Sequence, residues 1–131
     1  MKKLFTILML SFVMFAGSNI IKAQSCDMLY FCVKYDGKEV DCADRFTTGK
    51  ITVMAKLSKP VYFTKVTVQA DKYNPREGKF EYYKDYEFDT DSDMTYIYFK
   101  DIEFNDKGIY RVFLLDPEKN TITSALVEIT N

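Results

Sequence analysis

The sequence predicts an all-β protein: an antiparallel sandwich of two stacked sheets, built from seven or eight short strands in a single domain spanning residues 24–131. Three observations carry this expectation. Apolar residues recur at every second position in several stretches, and turn-forming residues separate those stretches at intervals of roughly 8 to 12 residues. No segment keeps a helical apolar period over about ten residues, and none joins a capping residue to an i, i+3, i+4 run.

The first 23 residues stand apart from this pattern. Lys2 and Lys3 precede an uncharged run over residues 4–17, and Ala23 offers a small residue at a cleavage point. That is the layout of a secretory signal peptide. The run is shorter than the ~20 residues that cross a bilayer core, and no second run of that length follows, so no transmembrane helix is expected. The mature chain is then 108 residues, enough for one domain with a modest core. The expected location is the periplasm, the outer membrane or the extracellular space.

The first predicted hairpin joins residues 28–35 to 38–42 through a two-residue Asp36-Gly37 turn. In that register Val33 faces Val40, Phe31 faces Cys42, and Cys32 faces Asp41. Residues 50–57 alternate most cleanly: Ile51, Val53, Ala55 and Leu57 on a buried side, Lys50, Thr52, Met54 and Lys56 on a solvated one. Pro60 ends that strand. Residues 61–70 are rich in β-branched side chains, but the apolar phase shifts between Phe63 and Val66, which points to a bulge or a change of sheet. Asn74, Pro75 and Gly78 mark a loop over residues 71–79. Alternation returns through Phe80, Tyr82, Tyr86 and Phe88, with Lys84 interrupting the apolar side. After an acidic turn comes a strand over 94–104, in which Ile97 and Phe99 give way to Ile102 and Phe104. The last two strands cover 109–115 and 122–130, joined across Asp116-Pro117.

Three cysteines, Cys26, Cys32 and Cys42, sit close together near the mature N-terminus, and export would place them where a disulfide persists. One is left over. Cys32 with Cys42 closes a sensible loop, yet the two-residue turn sends these side chains to opposite faces. Cys26 with Cys32 and Cys26 with Cys42 therefore stay open as alternatives. The segment Ala23-Gln24-Ser25-Cys26 loosely resembles a bacterial lipobox, although Lys22 and the lack of a nearby Leu depart from it. That resemblance implies a lipid anchor at Cys26, against ordinary cleavage near Ala23.

Asp106-Lys107-Gly108-Ile109-Tyr110 fits the D-x-G-x-Y pattern that opens strand F of immunoglobulin-like domains. The resemblance implies an immunoglobulin-like sandwich. In it the Tyr110 hydroxyl reaches back to the backbone, with Asp106 and Gly108 shaping the turn. The chain departs from antibody-type domains in placing Val112 where those have a cysteine and in containing no tryptophan. The motif is architectural and carries no chemistry.

Composition narrows function by class. The sequence contains no histidine, so Ser-His and Cys-His pairs and imidazole metal ligands are excluded. Removing Lys2, Lys3 and Lys22 leaves 15 basic against 19 acidic residues, a net charge of −4 that argues against nucleic acid as a partner. Acid pairs such as Glu81 with Asp85 or Asp101 with Glu103 are the raw material of glycoside hydrolysis, but short loops offer little cleft. No enzymatic role and no cofactor are expected. Asp89, Asp91 and Asp93 alternate as calcium ligands do, though Met94 and Lys100 stand where a helix-loop-helix calcium site needs Gly and a carboxylate. A solvated acidic turn is the plainer reading. Tyr82, Tyr96 and Tyr98 are the candidate ligand platform, because exposed tyrosine suits protein interfaces and stacks on sugar rings. The plainer reading has these rings covering the sheet edge. The expected function is an exported binding or structural module of the cell envelope or extracellular space, acting through a sheet face or an end loop on a protein partner. A carbohydrate-binding module, calcium-assisted or not, is the alternative.

Overall fold

The computed structural model describes residues 26–131, and there the period-two alternation closes over one core. The signal-peptide reading of residues 1–23 falls outside the described residues. Nine strands follow in chain order: β1 (Met28–Tyr35), β2 (Glu39–Ala43), β3 (Arg45–Thr47), β4 (Gly49–Lys56), β5 (Lys65–Asn74), β6 (Lys79–Asp89), β7 (Tyr96–Phe104), β8 (Gly108–Leu115) and β9 (Thr121–Thr130). No helix occurs among the described residues. A four-stranded sheet has the order β2-β1-β4-β7, and a five-stranded sheet the order β3-β9-β8-β5-β6.

The two sheets share a core, so the fold is sandwich-like. Phe31, Val53, Phe99 and Phe104 come from the smaller sheet, and Val68, Tyr110, Val112 and Leu114 from the larger; all are buried. Each large apolar side chain removed from water in this way contributes about 1.5–3 kcal/mol. Tyr110 is the largest fully buried side chain. Its ring packs against Phe104 at 4.7 Å and Tyr83 at 5.0 Å between centroids, and its hydroxyl donates to the Asp106 carbonyl at 2.5 Å. The buried phenol therefore keeps a partner for its one polar atom.

Four features differ from the sequence reading, each for a local reason. The larger sheet is mixed rather than antiparallel, because β3 pairs parallel to β9. At Asp44 the chain leaves β2 and crosses to the other sheet, where the Asp44 carbonyl accepts the Glu128 N–H at 2.9 Å. Arg45 then pairs with Glu128 at 2.9 Å. A strand of three residues is too short for alternation to announce it, and it brings the count to nine rather than the seven or eight expected.

The first hairpin turn contains three residues, Asp36, Gly37 and Lys38, not two. Gly37 takes φ +69°, which costs glycine little. One added residue moves the register by one, and a one-residue slip exchanges the faces of every side chain. Cys32 therefore stands directly opposite Cys42, and the two form a disulfide. Cys26 is a free, exposed thiol.

Strand β4 is solvated on its outer side only at its ends, at Lys50 and Lys56; Thr52 and Met54 between them are as buried as the neighbouring core residues. As a central strand flanked by β1 and β7, it has its outward side chains covered by those of its neighbours.

Finally, the segment expected as a loop over 71–79 is the continuation of a long hairpin, with β5 running to Asn74 and β6 starting at Lys79. The register shifts beyond Ala70, where Ala70 faces Lys84 but Asp71 faces Tyr82. The extra residue in β6 explains the misplaced Lys84. Tyr83, Tyr86 and Phe88 pack on the core, while Tyr82 is exposed. The phase change before Val66 is a change of sheet, since β4 and β5 belong to different sheets. That between Phe99 and Ile102 is a bulge in β7, with Asp101 at φ +62°.

Candidate functional site

The corrected hairpin register gathers a group of side chains on the outer face of the four-stranded sheet. Tyr30, Met54 and Tyr98 are successive cross-strand neighbours on β1, β4 and β7, and Lys56 stands beside Tyr96 in the next row. The Cys32–Cys42 disulfide ties β2 to β1 on this side. Met54 and the Cys32 sulfur form a fully buried floor, and the tyrosines stand around it.

Glu39, the first residue of β2, is the polar centre. The hydroxyls of Tyr30 and Tyr96 both donate to its Oε2 atom. Hydrogen bonds to the ionised form favour it, so the Tyr30 and Tyr96 phenols and then the Lys56 ammonium hold the Glu39 carboxyl below the usual carboxylate range. The reverse holds for the donors. Partial burial, then the bond to Glu39, pushes both Tyr30 and Tyr96 above the ordinary phenol value. Lys56 Nζ lies 5.6 Å from the Tyr30 ring centroid and 5.7 Å from that of Tyr96, so the two rings flank an ammonium.

A second aromatic group adjoins the first. Tyr35 stacks on Tyr98 with centroids 4.3 Å apart and planes at 26°, and meets Tyr96 edge-on at 6.0 Å. Lys100 Nζ sits 5.4 Å from the Tyr98 centroid. Tyr96 and Tyr98 remain 38% and 44% exposed while Ile97 and Phe99 between and beyond them are buried, so β7 turns its tyrosines outward as its alternation requires. The face combines exposed ring area, one carboxylate and two lysines on a rigid sheet. It can recognise a ligand by stacking and by charge-assisted hydrogen bonds.

Of the three tyrosines singled out from sequence, the fold brings Tyr96 and Tyr98 together. Tyr82 lies on β6 of the other sheet, where its hydroxyl donates to Asp85 at 2.7 Å. Asp89 and Asp91 flank Thr90, which is buried and donates its hydroxyl to the Phe63 carbonyl at 2.6 Å, and Asp93 follows two residues after Asp91. Among the described residues, one group of three metal-ligand types has all its ligand atoms within 4.8 Å, and it is Cys32, Glu39 and Cys42 rather than the aspartates. The two sulfurs of that group are bonded to each other, which removes the thiolates a metal would need. Asp106 lies between β7 and β8, Gly108 opens β8, and Tyr110, third in that strand, bonds back to the Asp106 carbonyl.

Tyr30, Tyr35 and Glu39 were missed from sequence. Their signal was present in the hairpin itself: a three-residue turn lets the two cysteines meet, and it places Glu39 opposite Tyr35. Compared with models of known protein families, with curated proteins and with solved structures, the chain matches none.

Proposed function

We propose that the protein is an exported, non-catalytic binding module with immunoglobulin-like architecture, and that it engages its partner through the outer face of the four-stranded sheet. The observation that carries this reading is the convergence of Tyr30, Tyr35, Tyr96 and Tyr98 around Glu39 on strands stapled by a disulfide. Aromatic side chains held rigid beside a charge are the usual anchors of protein recognition. The leader-like start of the sequence and the Cys32–Cys42 bond support export to an oxidising compartment. The Tyr110 hydroxyl on the Asp106 carbonyl supports the immunoglobulin-like assignment.

Co-sedimentation with isolated cell envelopes tests it. The mature protein is expected in the pellet, the Tyr96→Ala/Tyr98→Ala double variant in the supernatant, and a Leu126→Ser variant on the other sheet in the pellet. If the tyrosine variant sediments as the parent does, this face is not the binding surface.

The stacked pair Tyr35 and Tyr98 favours a second reading, a saccharide-binding module, since a ring face beside polar groups is what a pyranose packs against. Tyr82 no longer belongs to that platform, which becomes Tyr35, Tyr96 and Tyr98. A glycan array with and without calcium decides whether the aspartates 89, 91 and 93 take part.

A further inference from the structure

A shallow hollow of about 280 Å³ opens beside the tyrosine group, where β1, β4 and the β7 bulge meet. Lys34, Lys50 and Lys100 line it, one from each of three adjacent strands, together with Asp36, Asp101 and the ring of Tyr35. Thr52 and Ile51, both buried, form its floor. The described residues contain two ion pairs, Arg45 with Glu128 and Lys84 with Glu103, so none of the three lysines has a carboxylate within 4.0 Å among them. The lining holds three ammonium groups against two carboxylates, on a mature chain whose net charge is −4; Glu103, opposite Lys50 across the strands, is itself paired with Lys84 at 3.8 Å. The bulge shapes it, because β7 sets two residues, Lys100 and Asp101, opposite the single residue Thr52 of β4.

We infer that this hollow and the adjoining Tyr35–Tyr98 stack bind an anionic saccharide, the sugar ring against the tyrosines and its carboxylate, sulfate or phosphate among Lys34, Lys50 and Lys100. The inference rests on the saccharide reading given above and supplies its ligand class. Charge complementarity selects the anion, since ammonium groups without a carboxylate within 4.0 Å gain charge-assisted hydrogen bonds on binding. The ring face beside them selects a saccharide over an acidic peptide. A hollow of this size accommodates one such group and leaves the rest of a chain running over the sheet.

The test is affinity electrophoresis or calorimetry of the mature, oxidised protein against polygalacturonate, heparin, dextran and poly-glutamate. Binding to polygalacturonate or heparin is expected, and the stronger of the two identifies carboxylate or sulfate as the anion. Dextran and poly-glutamate are expected to bind at least tenfold more weakly. Lys34→Glu/Lys100→Glu and, separately, Tyr98→Ala are each expected to weaken binding at least tenfold. Lys59→Glu/Lys65→Glu, which makes the same charge change away from the hollow, is expected to leave it within twofold. Equal loss in both lysine pairs, or poly-glutamate binding as tightly as the polysaccharides, overturns the inference. A protein that sediments with envelopes through Tyr96 and Tyr98 but ignores all four polymers retains its binding face and loses only this ligand class.

Discussion

The hydroxyl of Tyr83 accepts the backbone N–H of Asn105 at 2.9 Å, so a side chain from the edge of one sheet caps the edge of the other. Tyr86 does the same for Glu103 N–H at 3.2 Å, and Lys84 pairs with Glu103 at 3.8 Å across the same gap. Strands β6 and β7 are the outer strands of their sheets, and unpaired edge groups invite pairing with other chains. Tyr83→Phe and Tyr86→Phe should each cost about 0.5–1.5 kcal/mol, because each leaves an N–H without its partner. Urea unfolding measures the cost, and light scattering at high concentration should show the double variant associating first. Tyr62→Phe, an exposed control, should change neither.

The disulfide staples the hairpin that carries Glu39. Closing a loop with a sequence separation of 10 removes unfolded-state freedom worth about 2–3 kcal/mol. Cys32→Ala/Cys42→Ala should lower stability by that amount, and Cys26→Ser should leave it unchanged, since Cys26 is free and exposed. Intact mass under non-reducing conditions should show one disulfide and one thiol that alkylates, unless Cys26 carries lipid.

These residues also mark how far the sequence could be read. Strand β4 and the alternation of Tyr96 to Phe99 were legible because each side chain's face follows from its neighbours along the chain. What was not legible depended on single-residue events. One residue in the Asp36–Lys38 turn decided whether Cys32 met Cys42; one in β6 sent Tyr82 away from Tyr86; one in β7 put Asp101 beside Lys100 at the hollow. Alternation fixes faces within a strand and says nothing of which strands become neighbours. Tyr96 and Tyr98 were therefore found, while Tyr30, Tyr35 and Glu39, which meet them only across strands, were not.

Gly108 begins β8 at φ +154°, and a Cβ built there would lie 2.9 Å from Lys72 Cε. Lys72 is a flexible side chain that can move, so the backbone angle is the larger obstacle. Gly108→Ala should cost about 1–3 kcal/mol, the range for a residue forced into a sparsely populated region. The double variant Gly108→Ala/Lys72→Ala should recover little of that in thermal unfolding. Full recovery would assign the cost to the steric contact instead.

The Glu39 cluster and Tyr110 make stability depend on pH at both ends. Glu39 has its folded value depressed, so its contribution is present above the ordinary glutamate value and is lost as pH falls through the lower one. The carboxylate is partly exposed, so screening keeps the effect on unfolding small, and the direct measurement is an NMR titration of its side-chain carboxyl. Tyr30→Phe removes the larger cause and should move that titration upward, toward the ordinary value. Tyr30 and Tyr110 are raised, chiefly by burial, so their contributions are whole below the ordinary phenol value of 10.0 and are lost as pH climbs toward their own. Phenolate absorbance during an alkaline titration should accordingly rise in two stages, exposed tyrosines first, with Tyr30 and Tyr110 ionising last and together with loss of structure. Tyr110→Phe should shrink the second stage. A single step near pH ~10 for all ten tyrosines would mean that neither hydroxyl is held as described.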